Sequence, residues 1–402
     1  MKAVMYGGGN IGRGFIGMLL SGSGYEVTFI DVVDAVVDTL NKDNSYPVRI
    51  ISNEGHNDVL VKNVNAVNGK DPAAVAETIA NADIMATAVG VNVLKFIIPN
   101  IVAGLKLRKE RNAPPFNIII CENLMDANKV IEKMIKEHLN AEEQAWFDQN
   151  IGLVEASIGR MVPVQTDEMK DGNPMRVCVE GYGFLPVDKA AFKGGIPEIK
   201  NMVPFEPFDF YLKRKLYIHN MGHATCAYLG DLLGLEYIYQ SIDKDEVYII
   251  VRNAMQESAR ALSKKYGVEL DSILLHIQDL LNRFTNAALK DTCKRVGGDP
   301  ARKLSPADRL IGSSSLAIEI GVTPAYISIG AAAGLHRYLA ENSAQGEAEA
   351  ADVLINVCNL EKDGKLYNMI LDMYKMILGG ATLGQLRRAA DSITAKGLKN
   401  VI

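Results

Sequence analysis

A chain of 402 residues is longer than one hydrophobic core usually serves, so two large domains are expected. Its composition, 48% hydrophobic and 23% charged, is that of an ordinary globular protein and excludes a disordered chain. A net charge of −5 argues against a nucleic-acid binder, which needs a broadly basic surface, but leaves room for an anionic small substrate at a local basic cluster.

Five cysteines (Cys121, Cys178, Cys226, Cys293 and Cys358) are scattered without a CxxC or Cys/His spacing, which reads as reduced, mostly buried thiols and no metal site. The N-terminal run MKAVMYGGG is too short an apolar stretch for a signal peptide. The longest apolar stretch, LAIEIGVTPAYISIGAAAGL, contains Glu319 and Pro324, which suits a broken helix of a soluble protein better than a membrane span. A cytoplasmic protein without nucleic-acid or membrane partners is expected.

In chain order, KAVMYG, EVTFID, ADIMATAVG and FNIIICEN read as buried strands separated by helical segments, the pattern of a parallel sheet covered on both faces. IGLVEASI (151–158) reads as a further strand, and RVCVEGYGFLPVD (176–188) as late strands near the end of the domain. Helical periodicity then dominates over 207–229, 244–265, 270–289, 305–319, 326–341, 349–359 and 366–378, with connections at GGDPARKLSP (297–306) and EKDGK (361–365).

Residues Gly7-Gly8-Gly9-Asn10-Ile11-Gly12 satisfy G-x-G-x-x-G directly after the first strand and before the helix IGRGFIGMLL. Glycines there allow a tight turn and close backbone approach, so that a pyrophosphate can rest against the helix N-terminus. Asp31 ends the next strand, where a carboxylate would bind the adenosine ribose and repel the extra phosphate of NADP, so NAD is the expected cofactor. Another adenosine ligand or a purely structural turn would also fit the glycines. Thr87, Ala88, Val89 and Gly90 either line the adenosine side or merely end a strand. Asn123, at the carboxyl end of IIICEN, lies where open α/β sheets bind ligands, or else caps a turn. The expected architecture is an N-terminal Rossmann-type, doubly wound α/β domain with late extra strands over 1–204. An all-α substrate and catalytic domain follows over 205–402, with a cleft between the two.

KLYIHNMGH (215–223) sets polar groups among residues that otherwise read as buried helix. At about 100° per residue, Lys215, His223 and Asn220 fall near 0°, 80° and 140°, one broad side of a helix. Together they suit alcohol oxidation: a lysine made basic by desolvation or by Lys213 and Arg214, Asn220 and Asn123 clamping the reacting oxygen, and His223 orienting it. Arg302, Lys303 and Arg309 form the best cluster for an anionic substrate group, with Arg160 and Lys193 behind them; each is otherwise a solvated charge or an ion-pair partner.

The spacing K-x4-N-x2-H of Lys215, Asn220 and His223 resembles the signature of the polyol-specific long-chain dehydrogenases. GGGNIGRGFIG (7–17), TAVG (87–90), CEN (121–123) and RKLSPADRL (302–310) resemble the branch of that family acting on phosphorylated hexitols. The resemblance implies an NAD-dependent, metal-independent enzyme with Lys215 as general base and Asn123, Asn220 and His223 around the substrate oxygen. It further implies reversible oxidation of mannitol 1-phosphate to fructose 6-phosphate by a monomer or homodimer. One departure bears on the pocket: many relatives carry Asp-Arg where this chain has Gly159-Arg160.

Rival readings stay open. Tyr211 and Lys215 also fit Y-x3-K, and Gly8, Gly12 and Gly14 fit G-x-x-x-G-x-G, spacings of short-chain dehydrogenases, although those place the pair in the dinucleotide domain itself. A hexuronate (fructuronate or tagaturonate) reductase or a different polyol dehydrogenase of the same family would share these motifs. A non-catalytic NAD sensor would need only the glycine loop and Asp31.

Overall fold

The structure is a computed structural model that describes residues 1–124 and 126–397. The chain divides into two compact units, Met1–Phe208 and Asp209–Ile402. Of the helical domain expected over 205–402, residues 398–402 lie outside the described residues.

The N-terminal unit carries strands β1 (Lys2–Tyr6), β2 (Glu26–Asp31), β3 (Ser45–Ser52), β4 (Gly55–Lys62), β5 (Val64–Asn68), β6 (Ile84–Thr87), β7 (Phe116–Ile120), β8 (Ile151–Glu155), β9 (Val177–Val179), β10 (Leu185–Asp188) and β11 (Met202–Phe205). Six of them form one parallel sheet in the order β5-β2-β1-β6-β7-β8. This is the doubly wound order, whose direction of winding reverses between β1 and β6 and opens a crevice at the strands' carboxyl ends. Alternation along β1 shows why both faces are covered. Ala3 and Met5 pack with Phe15, Val27 and Phe29 on one side, and Val4 and Tyr6 with Ile97, Ile101 and Ile118 on the other.

β9 and β10 fall within the late strands expected over 176–188, whereas β3, β4, β5 and β11 are not among the expected strands. β3 and β4 form an antiparallel hairpin joined through Asn53-Glu54, and β9 adds to β3 in parallel as a three-stranded sheet. β10 and β11 pair in parallel as a separate ribbon.

The C-terminal unit is helical. Met221–Leu232 is buried along most of its length and packs on Asp245–Tyr266 and Ala325–Glu341. Glu257, deep in the second of these helices, accepts the backbone N–H groups of Tyr326 (2.9 Å) and Ile327 (3.0 Å), satisfying buried donors that open the third and have no partner within their own helix. Two expected boundaries move. Helix Ile311–Glu319 starts six residues later than its periodicity suggests, because Ser305–Leu310 forms turns, and Leu270–Phe284 stops before a short 3-10 turn at Ala287–Leu289. Among the described residues no helix is long and apolar enough to cross a membrane.

Candidate active site

At the end of β1, Gly7 turns the chain with φ +102°, a region that favours glycine. A Cβ on Gly7 would stand 2.5 Å from the Ala88 carbonyl oxygen, and one on Gly12 would stand 1.9 Å from that of Gly7. Neither position accepts a side chain. Residues Gly12–Gly17 wind as a π-helix before Met18–Gly22 resumes α geometry. Buried Arg13 braces this turn: its Nε donates to the Gly8 carbonyl (2.6 Å) and its Nη1 to that of Met175 (2.6 Å).

Asp31 sits at the carboxyl end of β2. Its Oδ2 accepts the Gly8 N–H at 2.7 Å and its Oδ1 the Val33 N–H at 2.9 Å. Each oxygen keeps further acceptor capacity, and the residue is partly accessible. A cradle closed to Cβ atoms, a helix start and a carboxylate at the next strand end fit a dinucleotide: the turn would hold the pyrophosphate and Asp31 the ribose.

Thr87 ends β6 fully buried, with a hydroxyl that has no hydrogen-bond partner among the described residues. Beyond it, the N–H groups of Val89 and Gly90 donate to the two oxygens of Glu122 at 3.0 and 2.9 Å. Glu122 thereby ties the ends of β6 and β7 together and fixes the backbone leading to Asn123, which is exposed at the carboxyl end of β7.

In the C-terminal unit the polar motif occupies a second π-helical turn, Lys215–Asn220, followed by the α-helix Met221–Leu232. This corrects the α register assumed from the sequence. With bonds running i→i+5, five residues make little more than one turn. Asn220 therefore returns towards the azimuth of Lys215 instead of standing about 140° away. The Asn220 side chain is partly accessible and makes no capping bond.

Burial is the main cause lowering the Lys215 amine to about 8, with the nearby Arg309 cation adding to it. The residue keeps some accessible surface, so the dryness belongs to its amine end. Lys213 and Arg214 are not the cause. The Lys213 amine lies 3.4 Å from the Tyr217 hydroxyl, and the Arg214 guanidinium lies over the Tyr211 ring at 4.7 Å. One turn on, His219 is buried, and its pKa is held well below the ordinary value by desolvation and then by the charges of Arg283, His223, His276 and Lys215. His223 stacks on Phe284 (4.8 Å between centroids, 15° between planes), and its Nε2 lies 3.4 Å from the Asp291 carboxylate.

The expected anion ligands are only partly gathered. Arg309 lies near Lys215 and pairs with Asp308 through Nε at 2.7 Å. Arg302 bridges Asp299 (2.6 Å) and Asp308 (3.0 Å). Lys303 is buried, donates to the Gly298 carbonyl, and is lowered to about 8 by desolvation, then by Arg309 and Arg302. The other two candidates belong to the N-terminal unit. Arg160 is committed to structure, donating to the carbonyls of Tyr182 and Gly14 (2.8 Å to the latter) and covering the Phe15 ring at 4.6 Å. The Lys193 backbone pairs with the Asn117 side chain near the amino end of β7, the end opposite Asn123. A Cβ at Gly159 would meet the Tyr182 ring at 3.0 Å, so any side chain there would displace that ring.

Sequence reasoning passed over Arg13, Glu122 and Asp291. Arg13 carried a signal, a large cation directly after the last glycine of the loop; the other two are brought to their places only by the fold.

Comparison with known proteins gives a consistent family. Residues 1–201 match the family described as mannitol dehydrogenase Rossmann domain, and 208–368 that described as mannitol dehydrogenase C-terminal domain. The chain is 39% identical over 335 residues to a mannitol-1-phosphate 5-dehydrogenase of Brevibacillus brevis, an alignment spanning 83% of this chain and 86% of the relative. Among solved structures, a substrate-free D-sorbitol dehydrogenase superposes with a TM-score of 0.79 at 14% identity, covering 96% of this chain and 94% of the other. The Pseudomonas fluorescens mannitol 2-dehydrogenase ternary complex with NAD and D-mannitol superposes with a TM-score of 0.71 at 14% identity, covering 100% and 94%. At these identities the likeness of the structures speaks for the fold.

Proposed function

We propose that this chain, which belongs to the mannitol dehydrogenase family, is an NAD-dependent dehydrogenase oxidising a hexitol phosphate, mannitol 1-phosphate to fructose 6-phosphate, reversibly. The observation that carries the reading is Lys215: an amine lowered to about 8 by its dry surroundings, in the π-helical segment that ends at Asn220 and about two turns before His223. An ordinary lysine, near 10.4, is almost wholly protonated at neutral pH and cannot act as a base.

In this reading neutral Lys215 Nζ accepts the proton of the substrate hydroxyl as the carbon–oxygen bond becomes a carbonyl. The amides of Asn220 and Asn123 hold that oxygen as neutral donors, and His223 orients the same oxygen or its neighbour. Bound NAD would supply the hydride acceptor. Gly7–Gly12 would hold its pyrophosphate and Asp31 its ribose, with Thr87, Ala88, Val89 and Gly90 beside the nucleotide. Arg309, helped by Lys303 and Arg302, would bind the substrate phosphate.

A second reading within the family, a hexuronate reductase, gains support from the ion pairs of Arg302 and Arg309 with Asp299 and Asp308. They reduce the positive charge on offer, which suits a singly charged carboxylate better than a phosphate. The test is turnover of mannitol 1-phosphate, free mannitol and fructuronate, each with NAD(H) and NADP(H). The proposal expects the phosphorylated hexitol with NAD to give the highest kcat/KM, and preference for the hexuronate would replace it with the second reading.

A further inference from the structure

Asp291 lies outside every motif recognised in the sequence, yet it is the anion that faces His223. Its side chain is 7% exposed, and one oxygen, Oδ2, stands 3.4 Å from His223 Nε2. The other, Oδ1, is held by the Arg295 Nε at 2.7 Å and Nη2 at 2.6 Å. The backbone is fixed as well. The Asp291 carbonyl accepts the Ile238 N–H (2.9 Å), the Cys293 N–H reaches the Glu236 carbonyl (2.8 Å), and the Thr292 hydroxyl caps the short helix Cys293–Gly297 through the Arg295 N–H. With Phe284 stacked on its face, the imidazole is confined in plane and the carboxylate in position.

We propose that Asp291 is a positioning residue that holds His223 as the neutral Nε2–H tautomer, so that Nδ1 is a hydrogen-bond acceptor for a substrate hydroxyl. A neutral imidazole has one donor and one acceptor nitrogen, and a carboxylate only accepts. A lone pair on Nε2 would therefore set two acceptors against each other at close range. His223 Nε2 is buried and has no other partner among the described residues. At 3.4 Å and off axis the contact is looser than a finished hydrogen bond, as catalytic contacts often are before substrate binds. Beside this pair stand His219, whose ring lies 6.1 Å from that of His223, and Arg295, which pairs with the Asp291 carboxylate. Burial would raise the Asp291 carboxyl, but its contacts with His223 and Arg295 oppose this and hold its pKa below the ordinary value, so the acceptor stays ionised.

The consequence for the reaction, which rests on the function proposed above, is a division of roles. The asparagine amides donate to the reacting oxygen, while His223 Nδ1 accepts from a hydroxyl, fixing which alcohol lies beside Lys215. The tautomer itself can be read without any turnover. Nitrogen–proton NMR correlation spectra of the labelled free protein at a pH near 8 resolve its six histidines, with His223 assigned by its loss in His223→Gln. The proposal expects neutral Nε2–H for His223. An Nδ1–H or doubly protonated ring in the wild-type protein overturns it, whatever the substrate proves to be, and that result does not depend on the folding of any Asp291 variant. In Asp291→Asn, whose amide can either donate or accept, the Nδ1–H form should appear. On any substrate the enzyme turns over, kcat should fall roughly 10- to 100-fold with KM changed less than about threefold, the scale seen when an outer partner of an oriented histidine is lost. An unchanged tautomer and kcat in Asp291→Asn would equally overturn the assignment. A wild-type protein inactive on sugar alcohols would sink the functional reading and leave the NMR result standing.

Discussion

The Asp31 carboxylate accepts the backbone N–H of Gly8 at 2.7 Å, so the anion ending β2 and the glycine turn after β1 move as one body. Removing it should both loosen the turn and delete the ribose acceptor. Asp31→Ala is expected to weaken NAD by about 1.5–3 kcal/mol, the scale of a hydrogen bond to a charged group, and to narrow the gap between NAD and NADP. Fluorescence titration with both cofactors reads this directly, and an unchanged NAD affinity would mean the ribose lies elsewhere.

Gly12 offers a purely steric test. An added methyl would lie 1.9 Å from the Gly7 carbonyl oxygen, far inside any real contact, so the turn must open to admit it. Gly12→Ala should cost about 1–3 kcal/mol, as overpacked sites do, and abolish NAD binding. Gly9→Ala, whose methyl would meet nothing within 4 Å, should leave stability near wild type, and denaturant titration of both variants reads the difference.

Arg309 acts on Lys215 through its charge. If that cation helps keep the amine near 8, Arg309→Met should move the midpoint of the kcat profile to higher pH, although by less than the contribution of desolvation, the larger cause. A profile at the wild-type midpoint would show that burial alone sets the base.

Glu257 gives a stability prediction with a definite sign. Burial pushes its carboxyl up to about 8 against the N–H bonds of Tyr326, Ile327 and Ala325. A folded pKa above the unfolded value of about 4.3 means that the folded state holds the extra proton between them. Stability from this group is then full below about 4.3 and is lost as pH rises through about 8. Buried histidines titrate partly in the same range, so the difference between wild type and Glu257→Gln isolates the effect: the variant should lose stability less steeply from acid to neutral pH. Glu257→Ala should be the weaker protein by about 1–3 kcal/mol, because it leaves the opening N–H groups of Ala325–Glu341 without acceptors.

The sheet and the glycine turn were legible because their signals are local. FNIII is apolar but for Asn117, since β7 is buried on both faces, and the glycines are recognised by their six-residue spacing although Gly7 answers to the distant Ala88. The β3–β4 hairpin was not legible. Pro47 sits within β3, and β4 reads GHNDVLVK, mostly exposed, so neither carries a clean alternation of apolar and polar residues. The motif residues Lys215, Asn220 and His223 stood out as polar groups in an apolar helix, but their relative azimuth did not, because a π-turn leaves no residue-type signature. The places of Asp291 and Glu122 depend on which segments meet in the fold, which spacing along the chain does not encode, whereas the pairs of Arg302 with Asp299 and Asp308 are local and match the ion-pair role its sequence context left open.

The proposed reaction stands or falls with the Lys215 amine as its base. The pH dependence of NADH formation from mannitol 1-phosphate under single-turnover conditions, in wild type and Lys215→Met, reads that role at the chemical step. The wild-type rate should rise to a plateau through a midpoint near 8, the reverse reaction should fall through the same midpoint, and the variant should lose the step. A Lys215→Met enzyme that keeps both its rate and its midpoint would show that some other group takes the proton.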